Sequence, residues 1–535
     1  MGHPSPPDKN KKYDRQLRIW GTHGQQALES TKICLLNCSP TGSETLKNLV
    51  LGGIASFTIV DQALVESSDL GNNFFVEASH LGSSRAQHVT ELLKELNEAV
   101  NGSFVSESPQ ELIENQSSFF MGFDLVIATQ LEESISIKLD AVCRQYGVKL
   151  LMARSYGLVG YLRASLKEHR VIESKPDNSV EDLRFHQPWP ELQHFADAID
   201  LASADDITHK HVPYAVLLIK AAQAWQKQHG SKLPSSSSQR TEFKDFIKSW
   251  QRQIEGIPLE EENFSEALSN ASKVWAPPKT PSEVRSILED EAASVNKESD
   301  NYWVLAAALK RFIDNEGQGQ LPIEGSLPDM TATTALYLDL QRIYREQAER
   351  DVAAVAKHVQ DILASISRDS GAISSSEIRM FCKHVRCLRV VRYRSLEEEF
   401  TGSSCRSDSL RHALSAEDSA TNASLYILLR AVDQFFSKHR RWPGLYEQEI
   451  DGDVPALKHI ATSIVQDCSS GPALIPDDLV GEMCRFGAGE LHCVAAVMGG
   501  MASQEAIKLI TNQFVPINGT IIYNAMNSTM SVFRF

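Results

Sequence analysis

The stretch CLLNCSPTGSETLKNLVLGGIASFTIVD, Cys34 to Asp61, puts small and polar residues where phosphate chemistry could be done. An apolar run ends in Asn37, Cys38, Ser39, Pro40, Thr41 and Gly42, a helix-forming segment follows, and a second apolar run delivers Asp61. In a nucleotide-binding βαβ unit the loop at that place cradles phosphate with backbone N–H groups, and glycine is needed because a Cβ would hold the anion away. Of such a loop only Gly42 is left. Asp61 stands about 20 residues on, where these folds place a ribose-binding acid. An acid that caps or solvates the sheet edge is its plainer role.

The nine cysteines offer no obvious nucleophile. Cys34 alternates within an apolar strand, Cys382 and Cys387 bracket a KHVR segment, and no CxxC pair suggests zinc or a disulfide framework. A net charge of −16 argues against nucleic-acid binding, which needs a basic face, and favours a basic partner surface. The opening residues lack the apolar segment of a signal peptide, and no apolar run reads as a membrane span. A soluble intracellular protein is expected, in the cytoplasm and also the nucleus. A nicotinamide-dependent oxidoreductase is disfavoured by the missing G-x-G-x-x-G.

The elements that must position these residues are legible by period. After a polar tail, Tyr13 to Leu28 reads as a helix. Ile33 to Asn37 suits a buried parallel strand, Thr41 and Glu44 read as a capping box, and Gly52 and Gly53 stop the helix that follows. ASFTIVD reads as the next strand. The segment SSRAQHVTELLKELNEAV puts Ala86, Val89, Leu92, Leu93, Leu96 and Val100 on one face. FDLVIAT and VKLLMAR read as strands around a helix near Ser134 to Tyr146, with a further strand in Gly157 to Leu166. This alternation predicts an α/β fold with a doubly wound, mostly parallel, Rossmann-like sheet.

Beyond about residue 170 the pattern becomes helical, in PYAVLLIKAAQAWQKQHG, NYWVLAAALKRFIDNEG, ATTALYLDLQRIYREQAERDVAAVAKHVQDILASI and NASLYILLRAVDQFFSKH. Loops such as GIPLEEENFSE and WAPPKTPSE join them. The last fifty residues return to α/β character. HCVAAVMGGMASQEAIKLIT has a small-residue face of Ala495, Gly499 and Ala502, and Asn518-Gly519 between FVPI and TIIY reads as a hairpin turn. So short a piece cannot form its own core. The expected organisation is therefore one discontinuous α/β domain, residues 1–168 and 484–535, holding a helical insertion over 169–483 in two subdomains.

Four stretches in order resemble the enzymes that activate ubiquitin-like proteins. They are KYDRQLRIWGTHGQ from Lys12 to Gln25, the Cys34 to Asp61 unit, SSDLGNNFF from Ser67 to Phe75, and AAVMGGMASQEAIKLITNQFVPINGTIIYN near the end. Such enzymes adenylate a modifier's carboxyl terminus with ATP and magnesium and pass it to a cysteine as a thioester. Their adenylating core is a pair of related α/β units, and in split enzymes one unit is degenerate. Chain length and the large insertion resemble the regulatory half of the Nedd-type enzymes more than a fused enzyme or the small Sumo-type subunit. A non-enzymatic α/β scaffold is the alternative from another class.

The resemblance implies an adenylation-type domain that catalyses nothing alone. It implies a catalytic subunit as partner in a heterodimer, with the Nedd modifier as substrate, ATP and magnesium held in that partner, and conjugation to targets such as cullins downstream. No cofactor, metal or catalytic residue is expected in this chain. Asp61 matches the family's first acid. Asn72 stands where an arginine would neutralise phosphate, Arg85 replaces a lysine, and Leu131 falls where a metal-linked Asp is expected. Together with Asn37, Ser39 and Gly42 these are the marks of a lapsed nucleotide site. For Arg85 a solvated side chain at a helix start is expected. Arg15, in the Tyr-x-Arg-Gln signature, is implied to reach the partner's ATP phosphates, a task suited to a planar, permanently charged fork. An ordinary surface salt bridge is its other role.

Overall fold

The computed structural model of the 535-residue chain describes residues 9–175, 181–255, 257–401, 405–468 and 475–535. The start of the polar tail, residues 1–8, lies outside them. Two compact units are present, one made of residues 1–171 and 390–535 and the other of residues 172–389.

The first unit is built on an eight-stranded sheet. Its strands are β1 (Lys32–Leu36), β2 (Ser56–Val60), β3 (Asn101–Val105), β4 (Leu125–Thr129), β5 (Lys149–Tyr156), β6 (Val159–Ser165), β7 (Thr520–Asn524) and β8 (Thr529–Phe533). The order is β8-β7-β6-β5-β4-β1-β2-β3. The five strands from β5 to β3 run parallel, and β6, β7 and β8 add antiparallel. The expected doubly wound sheet is therefore present, and its last two strands come from the far end of the chain.

A parallel sheet must be covered on both faces. Ile33 and Leu35 of β1 face one core with α2 (Pro40–Gly52), α3 (Arg85–Leu96) and α6 (His492–Thr511). Cys34 and Leu36 face the other, with α4 (Glu133–Tyr146) and α5 (Ala420–His439). This second core corrects the expected boundary. The described residues between 390 and 483, assigned to the insertion, pack into the first unit, because Leu425, Tyr426, Leu428 and Val432 of α5 are needed to bury the sheet's second face. A buried pair fixes the arrangement: Arg163 of β6 donates from Nε to Glu399 Oε2 at 2.9 Å, while the Tyr426 and Thr520 hydroxyls donate to Oε1.

Helix α1 (Asp14–Ser30) matches the opening helix with a kink at Gly21. The small-residue face of α6 is real, but it lies mainly against α2: a Cβ on Gly499 would sit 2.6 Å from Glu44 Cβ. Among the described residues α6 is also long and apolar enough to cross a membrane, contrary to the expectation that no run in the chain is. Its buried face lies on α2 and the sheet. The hairpin is formed by β7 and β8 around Ala525–Ser528, so Asn518-Gly519 is not its turn. Strand β3 is an addition to the expected set, since its Asn-Gly-Ser opening has no apolar alternation.

The second unit is helical around its own core. The expected helices are Tyr214–Gln228, Asn301–Asp314 and Thr334–Ser365. The expected loop GIPLEEENFSE instead contributes the start of a helix, Glu262–Asn270. Its core gathers Phe185, Trp225, Phe243, Phe264 and Tyr344.

Candidate functional site

The Cys34 to Asp61 unit forms a β1–loop–α2–β2 turn at the carboxyl ends of the parallel strands, where such sheets bind ligands. Asn37 adopts a left-handed conformation (φ 64°), which Asn tolerates better than most residues. Its amide donates to the Thr129 carbonyl at 2.8 Å, locking the turn to β4. A Cβ at Gly42 would lie 2.4 Å from the Asn37 carbonyl oxygen and 2.9 Å from Thr129 Oγ1. The one glycine left in the loop is there for packing.

Asp61 is 1% exposed, and its carboxylate is fully engaged. Oδ2 accepts from the Cys38 N–H at 3.0 Å and from the Cys38 thiol, while Oδ1 accepts from the Ala63 N–H at 2.8 Å. Arg85 completes the set, with Nε 2.9 Å and Nη2 2.8 Å from Oδ2, and Nη1 3.1 Å from Asp69 Oδ1. Its side chain is 15% exposed, so the expected solvated helix-start residue is instead a buried ion-pair partner. Burial alone would push the guanidinium down, but Asp61, Cys38 and Asp69 outweigh it and hold it above its ordinary value. Burial and Asp61 together push the Cys38 thiol well up, so it is no nucleophile. Asp61 is neither a free ribose acceptor nor an exposed edge acid.

The capping box expected from Thr41 and Glu44 does not form. Ser39 is the N-cap of α2, without a side-chain cap bond, and its Oγ is buried with no partner. Thr41 turns to a residue 449 positions away: its N–H donates to Glu490 Oε2 at 3.1 Å and its hydroxyl to the same atom at 2.6 Å. Ser155, at the end of β5, lies 2.5 Å from the Thr41 hydroxyl and 3.3 Å from Glu490 Oε2. Asn72 is brought to the same place, its amide donating to the Glu490 carbonyl. Asn73 donates to the Cys38 carbonyl at 2.9 Å.

Leu131 sits apart from these, beyond the end of β4. It lines a cavity of about 40 Å³ with Gln130, Glu133, Arg154, Arg430 and Asp433. Arg430 holds Glu133 through two bonds, at 2.7 and 3.1 Å, and Arg154 holds Asp433 at 2.6 Å. Burial pushes the Asp433 carboxyl up to about 6 against the pull of Arg154.

An ATP–magnesium group does not fit these residues. Asp61, where the resemblance places a ribose acid, is paired to Arg85, the Glu490 carboxylate meets Thr41 at the start of α2, Asn72 supplies no charge, and Leu131 offers no ligand to a metal. The structure thus gathers Asn37, Ser39, Gly42, Asp61, Asn72 and Arg85 around the start of α2 and leaves Leu131 in a separate cavity. Sequence reasoning missed Thr41 as a ligand of its own chain, Asp69, Asn73, Ser155 and Glu490. Thr41, Asp69 and Asn73 lay in stretches already singled out, and Ser155 and Glu490 did not.

Arg15 is remote in character. Its side chain is 85% exposed, with Asp14 Oδ2 at 3.9 Å from Nε. The neighbouring signature residues are structural: the buried Tyr13 accepts from the Asn97 amide at 3.0 Å, and the buried Gln25 amide donates to the Gly52 carbonyl at 3.2 Å.

The ThiF family model matches residues 13–535. The chain is 48% identical to the NEDD8-activating enzyme E1 regulatory subunit AXR1 of Arabidopsis thaliana, over 98% of this chain and 96% of that protein. It is 48% identical to the regulatory subunit AXL of the same plant, over 96% and 97%, and 43% identical to the NEDD8-activating enzyme E1 regulatory subunit of Danio rerio, over 98% of each. With a match of that length and identity, the chain belongs to the ThiF family and, within it, to the NEDD8-activating enzyme E1 regulatory subunits.

Proposed function

We propose that this chain is the non-catalytic subunit of a heterodimer that activates NEDD8. The observation that carries the reading is identity of 43–48% along nearly the whole length of regulatory subunits of that enzyme. The start of α2 supports the division of labour, because Asp61 is taken by Arg85 and Cys38, and Thr41 by Glu490, where a working site would meet nucleotide. In this reading the partner subunit holds ATP and magnesium, adenylates the modifier and carries the thioester cysteine. Conjugation of the modifier to targets such as cullins follows, in the cytoplasm and nucleus.

Arg15 is the residue through which this chain acts on the partner's chemistry. Its exposure leaves the guanidinium available to a second subunit, and the anchored Tyr13 fixes where its helix begins. A planar fork of constant charge suits phosphate oxygens better than a lysine would.

Modifier-dependent ATP–pyrophosphate exchange tests both statements. The reading expects none from this chain alone and full activity from the co-expressed pair. Exchange by this chain alone would sink it. Arg15→Ala should leave the heterodimer assembled by size exclusion while slowing adenylate formation, at a cost of about 3 kcal/mol, the scale of a lost donor to developing charge. An unchanged rate at saturating partner would remove Arg15 from the mechanism.

A further inference from the structure

We propose that Glu490 is a built-in surrogate for the nucleotide phosphate: its carboxylate occupies the anion seat at the N-terminus of α2, completes the fold there and keeps phosphate out. The proposal rests on the reading of this end of α2 as a lapsed nucleotide site and says what replaced the nucleotide.

The N-terminus of a helix attracts an anion through its unpaired N–H groups and its dipole. In this fold that place lies just after β1, and α2, with 13 residues, is long enough to present it. Here the donors converge on one atom. Glu490 Oε2 accepts from the Thr41 N–H, the Thr41 hydroxyl and the Ser155 hydroxyl. A backbone N–H plus two hydroxyls around a single oxygen is the donor pattern a phosphoryl oxygen would meet.

The seat also holds polar capacity that the carboxylate leaves unused. Ser39, the N-cap residue, is buried with its Oγ unpartnered. Burying a hydroxyl without a bond costs free energy, so it marks a place that a larger anion with a third oxygen would satisfy. Ser39 thus leaves a buried, unpaired hydroxyl at the N-cap of the helix that Glu490 meets.

The carboxylate is held in place by its backbone. Asn72 donates to the Glu490 carbonyl, and the Gly157 N–H donates to the Gly489 carbonyl at 2.7 Å, tying the segment between Phe486 and His492 to the end of β5. Asn72, standing where the family resemblance expects a phosphate-binding arginine, thus braces the residue that fills the phosphate's place. A phosphate entering the seat would face the Glu490 carboxylate at contact distance, and beside a half-buried side chain that repulsion is several-fold stronger than in water.

Removing the carboxylate should therefore uncover a site for phosphoryl groups. The test is thermal unfolding of the full chain as wild type, Glu490→Ala and Glu490→Gln, titrated with inorganic phosphate while chloride holds the ionic strength constant. The wild type should melt independently of phosphate. Glu490→Ala should melt roughly 2–4 °C lower and recover saturably as phosphate is added. Identical melting of wild type and Glu490→Ala, or superimposable phosphate responses, would overturn the proposal. If Glu490→Ala does not fold, Glu490→Gln carries the same decision: a saturable phosphate response absent from wild type supports the surrogate, and no difference overturns it. Titrating the wild type with ATP and magnesium separates the two levels. Saturable binding there sinks the lapsed-site reading itself, whereas a flat wild type beside a flat Glu490→Ala sinks only the surrogate.

Discussion

Arg85 and Asp61 form a buried ion pair in which Nε and Nη2 both meet Oδ2, at 2.9 and 2.8 Å. The pair converts two residues of a nucleotide site into a brace between β2 and α3, with Asp69 on the second arm of the fork. Arg85→Ala would leave Asp61 buried without its cation, and we expect a loss of about 3–5 kcal/mol in urea unfolding. Arg85→Lys should lose less, about 1–2 kcal/mol, because one ammonium cannot serve Asp61 and Asp69 in the same geometry. A change below about 0.5 kcal/mol for Arg85→Ala, the scatter of ordinary surface substitutions, would show that the pair does not brace the fold.

Two close approaches depend on a missing Cβ. Gly42→Ala drives a methyl toward the Asn37 carbonyl, and Gly499→Ala drives one into Glu44 Cβ and the Thr45 backbone nitrogen. Each should destabilise by about 1–3 kcal/mol, read as a lower urea midpoint at unchanged slope. Wild-type midpoints would mean that α2 shifts without strain.

Asp433 gives the first unit a pH-dependent term. Its folded carboxyl titrates at about 6 because burial outweighs Arg154, against 3.8 for the ordinary group. Glu133, whose backbone N–H donates to Asp433, and Arg430 complete its charged surroundings. The folded chain binds this proton more tightly than the unfolded one. Its contribution to stability is therefore fully present below about pH 4 and lost as pH rises through about 6, on the order of 3 kcal/mol. Asp433→Asn should flatten that part of the difference curve between pH 4 and 7. Parallel curves for variant and wild type would refute the assignment.

The Arg163–Glu399 pair joins β6 to the segment returning after residue 389, with both side chains 2–3% exposed. Glu399→Gln strands a buried guanidinium, and a loss of about 3–5 kcal/mol is expected. Arg163→Met with Glu399→Gln should cost less than the sum of the two single changes, because neither buried charge is then left unpaired. Additivity in that cycle would show that the two side chains do not couple.

Local pattern carried most of the architecture. The apolar runs of β1, β2, β4 and β5, the amphipathic face of α3 and the small-residue face of α6 were all legible, since each is set by neighbours a few positions apart. The residue types at Asn72 and in the Asn37 to Thr41 loop, on which the lapsed-site reading rests, can also be read from the sequence alone. The polar edge strand β3 escaped because an edge needs little apolar alternation. The capping box failed where a local rule met a distant competitor: Thr41 bonds Glu490 in place of closing on Glu44. Helix α5 was legible as a helix, but its apolar residues do not say which sheet face they will bury, so its unit was misassigned. Arg85 likewise carries no mark of its burial beside Asp61. Hydrogen bonds and ion pairs between residues hundreds of positions apart leave no period in the chain, and only folding brings Glu490 to the Thr41 end of α2.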